Sequence, residues 1–258
     1  MKQNGSVGIE SAVPAVDRAL DILELFETRD EPMTLAQVVA ALSLPKASAY
    51  RLLSTLTQRG YVRMVGPRGY TLGLRNLSLA ARAQERLDVV QIAAEPMRRL
   101  ASEAGEACQI SIRSGRFALC VARVSSPNYP DLTLIGKAGS RFPLHAVAVG
   151  KALLAYAPES ERSAYISSGD LETFTPFTHS AADSLDVELA DVRRSGLARD
   201  RQEYKLGLCA VAAPVFDHSG TVVAALAVPY LVGSEKPDHD GHLVDTAREV
   251  SCAMGYRG

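Results

Sequence analysis

The sequence predicts an α+β protein with two domains: a small helical domain that ends in a β-hairpin, and a larger domain of antiparallel strands with segregated helices. Three observations support this prediction. The chain has 258 residues, 47% of them apolar, which is enough to bury one or two cores. Its first third has helical periodicity followed by a short extended segment. Its remainder combines alternating strand patterns with separate helical stretches.

The N-terminal part begins with an amphipathic helix. Apolar residues recur there at spacings of three and four, and the predicted inward residues are Val16, Ala19, Leu20, Leu23 and Phe26. Thr34 is a suitable cap for a second helix. Ser43-Leu44-Pro45 ends that helix, because the residue before a proline disfavours helical geometry.

A third helix and a hairpin follow. The helix has an apolar stripe and ends at Gly60; the stripe consists of Ala49, Leu52, Leu53 and Leu56. Extended segments at Tyr61–Val65 and Tyr70–Leu72 flank a turn with Arg68 at its tip. Two short helices, a tight turn, a third helix and a basic hairpin are typical of a winged helix-turn-helix, in which the third helix enters the major groove of DNA.

Charge supports a DNA-binding role for this part. From Pro32 to Gln84 the chain has seven Lys or Arg residues and no Asp or Glu, although the net charge of the whole chain is -1. A three-helix scaffold for protein contacts is the alternative, which the position of the acid-free segment disfavours. The predicted DNA-contacting residues are Lys46, Ala47, Ser48, Tyr50, Arg51, Ser54, Arg63 and Arg68.

The rest of the chain predicts a linker and a second domain. A linker helix is expected over residues 74–104, with a break near Leu87-Asp88 or at Pro96. Two hairpins are predicted, with strands at Cys108–Ile112, Phe117–Val124, Cys209–Phe216 and Thr221–Val228. Helices are predicted at residues 148–157, 160–167, 183–196 and 240–254. The predicted domains are therefore 1–73, 74–104 and 105–258.

In this order, the motifs resemble those of IclR-type transcriptional regulators over nearly the whole chain. In the N-terminal part the resemblance rests on AVDRALDILELF, LPKASAYRLLSTLTQRGYV and GYTLGLR. In the C-terminal part it rests on the more specific PLHAVAVGKALLA and EYKLGLCAVAAPVFDHSGTVVAALAV. The resemblance implies an operator-binding regulator of a catabolic pathway, more often a repressor than an activator, with an effector-binding domain of GAF-like fold. It also implies a homodimer or a dimer of dimers, and no cofactor.

The resemblance also implies an effector site. Family members that bind small carboxylates use positions that correspond here to Ala148, Val149, Asp200, Ala210, Ala227 and Pro229. The small-acid pattern has a cysteine where Ala210 stands and serines where Ala227 and Pro229 stand. Loss of these polar donors favours a larger, partly apolar organic acid, such as an aromatic acid. The alternative is that Ala210, Ala227 and Pro229 only pack the strands.

Motifs for catalysis or metal binding are weak. The segment around Gly150-Lys151 lacks two residues that a phosphate-binding loop requires. Of Asp200 and Glu203, one is expected to contact the effector or form a salt bridge and the other to lie on the surface. The segment Asp238–His242 contains metal-ligand types, but a helix start capped by Asp is the preferred interpretation. No catalytic residue or metal is predicted. Two alternatives remain: a small-acid enzyme with an accessory winged helix, and a nucleoid-type protein that binds any duplex.

The histidines do not indicate a catalytic base. His145, His179 and His218 have no Ser or Cys partner at a recognisable spacing.

Two further patterns concern the cellular compartment. The first twenty residues lack the apolar centre of a secretory signal, and no apolar run approaches the ~20 residues that cross a bilayer. A cytoplasmic location is therefore predicted. The four cysteines have no metal-site spacing and are predicted to be free and mostly buried.

Overall fold

In the computed structural model the chain forms two compact units, Met1–Arg86 and Leu87–Gly258. The structure describes residues 13–66, 69–84, 88–128, 136–169, 171–236 and 238–257. None of the described helices has the length and apolar character needed to cross a membrane. Helices and antiparallel strands occur in both units, so the predicted α+β class is confirmed.

The first unit has four helices and a two-stranded sheet within its described residues. In chain order these are α1 (Pro14–Glu27), α2 (Leu35–Leu42), α3 (Lys46–Gln58), β1 (Val62–Met64), β2 (Tyr70–Leu72) and α4 (Arg75–Gln84). The strands β1 and β2 pair antiparallel, as the hairpin pattern predicted. Of the predicted turn between them, Pro67 and Arg68 lie outside the described residues.

Local sequence explains where these elements begin and end. Thr34 and Gln37 form a reciprocal capping box that satisfies amides at the start of α2. Ser43 ends α2 with a φ of 52°, and Gly60 follows α3 with a φ of 78°. Gly69 brings the start of β2 against the backbone of Met33; a Cβ at Gly69 would lie 2.3 Å from the Met33 carbonyl oxygen. Only glycine permits this approach.

The inward face of α1 agrees with the prediction in part. Phe26 is buried, and Ala19 and Leu23 pack against the same core, as predicted. Val16 is 53% exposed and Leu20 is 51% exposed, so the prediction is wrong for these two residues, and the buried Ile22 is missing from it. Spacing alone left two overlapping apolar stripes on α1, and packing against α3 selects the one that contains Ile22.

Two helices lie in the segment for which one linker helix with a break was predicted. The first, α4, ends at Gln84, and the second, α5 (Asp88–Ala104), belongs to the second unit. Of the two predicted break points, Leu87 lies outside the described residues, and α5 starts at Asp88. Pro96 lies inside α5 and does not end it.

The second unit contains a six-stranded antiparallel sheet with the strand order β5-β4-β3-β8-β7-β6. Its strands are β3 (Cys108–Ser114), β4 (Phe117–Val124), β5 (Arg141–Pro143), β6 (Ala198–Arg201), β7 (Leu208–Phe216) and β8 (Val222–Leu231). Its further described helices are α6 (Ala148–Ala155), α7 (Glu159–Ser167), α8 (Ala182–Ser195) and α9 (His239–Ala253). Both predicted hairpins and all four predicted helical stretches are confirmed, each within a few residues.

The sheet separates two apolar cores, because successive side chains of a strand point to opposite faces. On one face α5 and α9 pack against residues such as Val211 and Leu226. On the other face α6, α7 and α8 pack against small residues such as Ala210 and Ala227. Cys108, Cys120 and Cys209 are buried in these cores and Cys252 is exposed, as the thiol prediction expected for most of them.

Two edge strands escaped prediction. β5 has three residues and includes a proline, which is tolerated at a sheet edge but gives no strand signal. β6 has the sequence ARDR, in which three of the four residues are charged. The residues of β6 alternate in burial but not in hydropathy: Asp200 is buried, whereas the side chain of Arg199 forms an ion pair with Asp240 of α9. Edge strands of this length carry too little pattern to be found from sequence.

Candidate functional site

The outer face of α3 is the first candidate site. Ala49, Leu53 and Leu56 are buried and fix the rotation of the helix about its axis. The opposite face is consequently exposed, and it carries Tyr50 and Arg51. The polar face that the sequence predicted for contact with a duplex therefore lies on the surface of the first unit.

The predicted DNA-contacting residues share this surface where they are described. Lys46, Ala47, Tyr50, Arg51 and Ser54 are exposed on α3, and Ser48 is half-buried there. Arg63 is exposed on β1, and Arg68 lies outside the described residues. Six of the seven basic residues of the acid-free segment are described, and all are exposed: Lys46, Arg51, Arg59, Arg63, Arg75 and Arg82.

The second candidate site lies on the sheet face that packs against α6. Strand register places Asp200 of β6 opposite Ala210 of β7, and Ala210 opposite Pro229 of β8. In the next row Ala212 stands opposite Ala227, which also stands opposite the buried Gln109 of β3. The four strand residues that the resemblance implied are thus brought together on one face. Gln109 was not predicted, because nothing in its spacing marks it.

Helix α6 brings the other two implied residues to the same core. Ala148 and Val149, in its first turn, belong to the apolar cluster that contains Ala210 and Ala227. A Cβ at Gly150 would lie 2.4 Å from the carbonyl oxygen of Leu144, so glycine is needed for this close approach. The N-cap residue of α6, Val147, makes no side-chain capping hydrogen bond to its first amides.

The carboxyl group of Asp200 is the most unusual polar group of this face. The residue is 1% exposed, and its Oδ1 accepts a hydrogen bond from the amide of Glu203 at 2.7 Å. Its Oδ2 is buried and has no hydrogen-bond partner among the described residues. Burial raises the pKa of Asp200 to about 7; the amide of Glu203 opposes this shift, and the charge of Glu203 adds to it.

A buried ion cluster lies next to Asp200. Lys151 of α6 is 0% exposed, and its Nζ lies 2.7 Å and 2.8 Å from the two carboxylate oxygens of Glu203 and 2.8 Å from Oε1 of Glu188. Glu203 is 2% exposed, so the expectation that one of Asp200 and Glu203 lies on the surface is wrong. Burial of a lysine is possible here because two carboxylates bind its ammonium group.

The same carboxylates form the one candidate metal-ligand group found among the described residues. His179, Glu188 and Glu203 bring ligand atoms within 4.8 Å of one another. The cation bound by both carboxylates in this structure is the ammonium group of Lys151. The sequence had indicated a different candidate, Asp238–His242; there Asp238 stands at the N-cap of α9 but its side chain makes no capping hydrogen bond. The neighbouring His239 is buried against the ring of Tyr230.

The histidines have partners that sequence spacing did not reveal. His145 is buried, with Nδ1 2.9 Å from the hydroxyl of Tyr165 and Nε2 2.9 Å from the carbonyl oxygen of Glu172. Burial lowers the pKa of His145, which favours a neutral core histidine. His179 does have a serine partner, since its Nδ1 lies 2.6 Å from Oγ of Ser184. The other ring nitrogen of His179 lies 3.9 Å from both glutamates, too far to orient it as a catalytic base.

Aromatic rings border the same core. Tyr204 packs edge-on against Phe142 at 5.8 Å and contacts Phe174 at 5.1 Å, measured between ring centroids. Two surface clefts lie elsewhere: one beside Met33 and Gln37, the other beside Ile92, His218 and Met254. None of the six residues implied as effector contacts lines either cleft. Their role as ligand contacts stays a prediction.

Comparison with known proteins covers both units. The family profile for the C-terminal domain of bacterial transcriptional regulator IclR matches residues 81–252, and that for the IclR helix-turn-helix domain matches residues 15–66. The HTH-type transcriptional repressor AllR of Escherichia coli is 30% identical over 253 residues, which cover 96% of this chain and 93% of AllR.

Solved structures agree with this match. A transcriptional regulator from Rhodococcus sp. RHA1 is 30% identical, with a TM-score of 0.80 over 94% of this chain and 98% of that one. An IclR homolog from Microbacterium hydrocarbonoxydans, solved in complex with 4-hydroxybenzoate, has a TM-score of 0.82 over 93% of this chain and 98% of that one. At 22% identity, the second structure shows a shared fold alone.

Proposed function

Because the chain belongs to the IclR family of bacterial transcriptional regulators, we propose that it is a repressor that binds a specific operator and responds to a partly apolar organic acid. Family membership makes it a DNA-binding regulator with an effector-binding C-terminal domain, and not an enzyme. Repression is supported by the similarity to AllR, which is named as a repressor. An activator of the same family is the alternative.

The DNA-binding role is supported by the exposed, acid-free face of α3. On this proposal Lys46, Tyr50, Arg51 and Ser54 face the major groove, together with Ala47 and Ser48 at the start of the helix. Arg63, and Arg68 in the turn that the sequence predicts, contact the phosphate backbone on this proposal. An arginine on the exposed face of a recognition helix is suited to bidentate contact with a guanine edge.

A gel-shift measurement tests this placement. Arg51→Ala is expected to weaken binding to the operator by about 1–3 kcal/mol if its guanidinium contacts a base edge. The operator is sought among fragments upstream of this gene and its neighbours. Arg248→Ala is the matched control, because it removes the same charge from an exposed position of the second unit. Unchanged operator affinity in Arg51→Ala would refute base contact by Arg51.

The effector role is supported by the register that joins Asp200, Ala210 and Pro229 on the α6 face. On this proposal the first amides of α6, at Ala148 and Val149, hold a carboxylate of the ligand. Ala210 and Ala227 border its apolar body, and Asp200 contacts its hydroxyl or other polar end. The small size of the two alanines and the nearby rings of Tyr204 and Phe174 are consistent with an aromatic acid.

Asp200→Ala tests the effector role. The variant is expected to lose release of the operator by the effector, while operator affinity in the absence of ligand stays unchanged. The measurement is a fluorescence titration of the full chain on labelled operator, with a panel of aromatic and aliphatic carboxylic acids. Retained release in Asp200→Ala would mean that the ligand binds elsewhere and that these residues are ordinary core.

The domain assignment follows from this proposal. Residues 1–73 bind DNA, residues 74–104 transmit the signal, and residues 105–258 bind the effector. We infer a homodimer or dimer of dimers on a pseudo-palindromic operator in the cytoplasm, where the chromosome lies. Effector binding would change operator affinity by a coupling of about 1–3 kcal/mol. Sedimentation velocity with and without the operator tests the assembly.

A further inference from the structure

The charges that surround Asp200 are arranged so that they compensate one another without it. Among the described residues, the charges of Glu203 and Lys151 act on this carboxyl group directly, and the thiol of Cys209 on the neighbouring strand lies near it. Glu188, Arg201 and His179 complete the ion cluster around Lys151 and Glu203. Two positive and two negative groups are present when His179 is neutral. An ionised Asp200 would add a negative charge that nothing in this set balances.

Lys151 has no hydrogen-bonding capacity left for a ligand. An ammonium group has three N–H donors, and the three carboxylate oxygens within 2.8 Å of Nζ account for all of them. Arg201 lies 3.9 Å from Glu188, and its side chain is 62% exposed, so it stabilises charge at the surface of the cluster. The buried Lys151 is therefore not available to a ligand, and in the proposed site the carboxylate of the organic acid lies at the first amides of α6.

Asp200 itself can supply the hydrogen-bond donor for a ligand at this position. Its Oδ1 accepts a hydrogen bond from the amide of Glu203, and the amide of Arg201 donates to Oε1 of Glu203 at 3.2 Å, so the backbone at the end of β6 and just after it fixes both carboxyl groups. Its Oδ2 is buried without a partner among the described residues. A protonated Oδ2 is a hydrogen-bond donor to an oxygen of the ligand, whereas an ionised Oδ2 repels an anion.

We propose that the site takes up an anionic organic acid together with one proton, which resides on Oδ2 of Asp200 and is donated in a hydrogen bond to the ligand. This inference rests on the proposed effector site and specifies its chemistry. Lys151 and Glu203 act as positioning residues. The amide of Glu203 fixes Asp200, and Lys151, whose three donors are bound by Glu203 and Glu188, leaves a negative charge on Asp200 uncompensated. The site then prefers acids that accept a hydrogen bond from Oδ2 of Asp200, and its affinity for these acids depends on pH.

The pKa of Asp200 is in agreement with this geometry. Burial, followed by the charge of Glu203, raises the pKa to about 7, although the Glu203 amide and the charge of Lys151 oppose the shift. The carboxyl group is thus half-protonated near neutral pH in the free protein. An anionic ligand beside it favours the protonated form further, so binding draws a proton from solution at pH 8.

The first test needs no ligand. The full-length protein is labelled with carbon-13 at the aspartate side-chain carboxyl, and its NMR spectrum is followed from pH 4 to pH 9. Asp200 is assigned as the resonance that Asp200→Asn removes, and its midpoint is expected near pH 7. Glu203→Gln, which removes one negative charge at constant volume, is expected to lower that midpoint. Glu161→Gln removes the same charge from exposed α7 and is expected to leave it unchanged.

Two outcomes of this titration would overturn the proposal. A midpoint below pH 5 would mean that Asp200 is ionised in the free protein at neutral pH. Equal midpoints in Glu203→Gln and Glu161→Gln would mean that the buried cluster does not control the proton. If Asp200→Asn fails to fold, the resonance can still be recognised in the wild type, because a midpoint near pH 7 is distinct from the midpoints of exposed aspartates.

The second test counts protons during binding. 4-Hydroxybenzoate is the probe, and calorimetry is done at pH 6 and pH 8 in pairs of buffers with different ionisation enthalpies. The wild type is expected to take up close to one proton per site at pH 8, and its affinity to fall up to about tenfold per pH unit above 7. Asp200→Asn keeps a permanent donor and is expected to show neither effect.

The two proposals fail differently in these measurements. Binding with no proton uptake and a flat pH profile would refute proton-coupled uptake and leave the effector site intact. Absence of binding at both pH values, with a neutral NMR midpoint, would refute the aromatic-acid assignment of the proposed function while supporting the protonated Asp200.

Discussion

The two units place their candidate functional residues on opposite sides of the boundary between core and surface. In the first unit Tyr50 and Arg51 are exposed, and the fold rests on Ala49 and Leu53 on the other face of the same helix. In the second unit Asp200 and the five residues grouped with it are themselves buried. If these residues have the proposed roles, DNA specificity can change without altering the fold, whereas effector specificity and stability change together.

Electrostatics follows the same division. The basic residues that the structure describes in the first unit are exposed, where water and salt screen their charges. The charges around Lys151 are buried, so each depends on the others for compensation. Substitution of a buried charge around Lys151 is therefore expected to lower the free energy of unfolding by several kcal/mol more than substitution of an exposed basic residue of the first unit.

The largest effect is expected for Lys151→Ala. Removal of the ammonium group leaves Glu203 buried without its counter-ion, and breaking such a pair destabilises a protein by about 3–5 kcal/mol. Urea unfolding of the full chain measures the loss, with exposed Lys137→Ala as control. A loss under about 1 kcal/mol would show that the buried cluster contributes no more than a surface ion pair.

Asp200→Asn is expected to change how stability depends on pH. The pKa of Asp200 is about 7 in the folded protein and ordinarily 3.8, so the folded state binds the proton more tightly. Wild-type stability from this group is present below pH 4 and is lost as pH rises to 7. Relative to the wild type, Asp200→Asn should gain on the order of 3 kcal/mol between pH 4 and pH 8. Parallel unfolding free energies for both proteins over this range would contradict the buried acid.

Ala227→Leu is expected to have an intermediate effect. Ala227 is 1% exposed between the sheet and α6, and extra methylene groups in such a core destabilise by about 1–3 kcal/mol. The larger side chain should also prevent effector binding. Ala190→Leu, on the exposed side of α8, is the control. Thermal unfolding and calorimetry of both variants separate the two effects, and equal stability would place a cavity beside Ala227.

The smallest effect is expected for Arg51→Ala. Its guanidinium group is exposed, so unfolding free energy should change by less than about 0.5 kcal/mol while operator affinity falls. Urea unfolding followed by circular dichroism checks this value. A loss above 1 kcal/mol would show that residues of the DNA-facing surface also hold the first unit together, and the contrast between the units would weaken.

Local patterns were sufficient for most of the fold. The capping box at Thr34, the glycine after α3 and the alternation of β3 are properties of a few neighbouring residues, and each predicted an element correctly. The prediction was wrong for Val16 and Leu20 of α1, where two stripes compete, and it omitted β5 and β6, whose few residues lack alternation. The choice between such alternatives depends on packing with distant segments.

The residues of the candidate sites also fall into those that sequence patterns revealed and those that they did not. The exposed residues of α3 were found from sequence, because the buried stripe of a helix also defines its opposite face. The buried status of Glu203 and the serine partner of His179 were missed, because sequence spacing carries no information on contacts between separate elements.

The family, the two-part organisation and the acid-free basic stretch could be read from the residues alone, since they follow from motifs and from the order and charge of neighbouring residues. That Lys151, Glu188 and Glu203 form one buried cluster beside Asp200 became evident only in three dimensions. Residues so far apart in the chain meet only when α6 and α8 pack on the sheet. Their effect on Asp200 arises from the exclusion of water, which depends on every element around them.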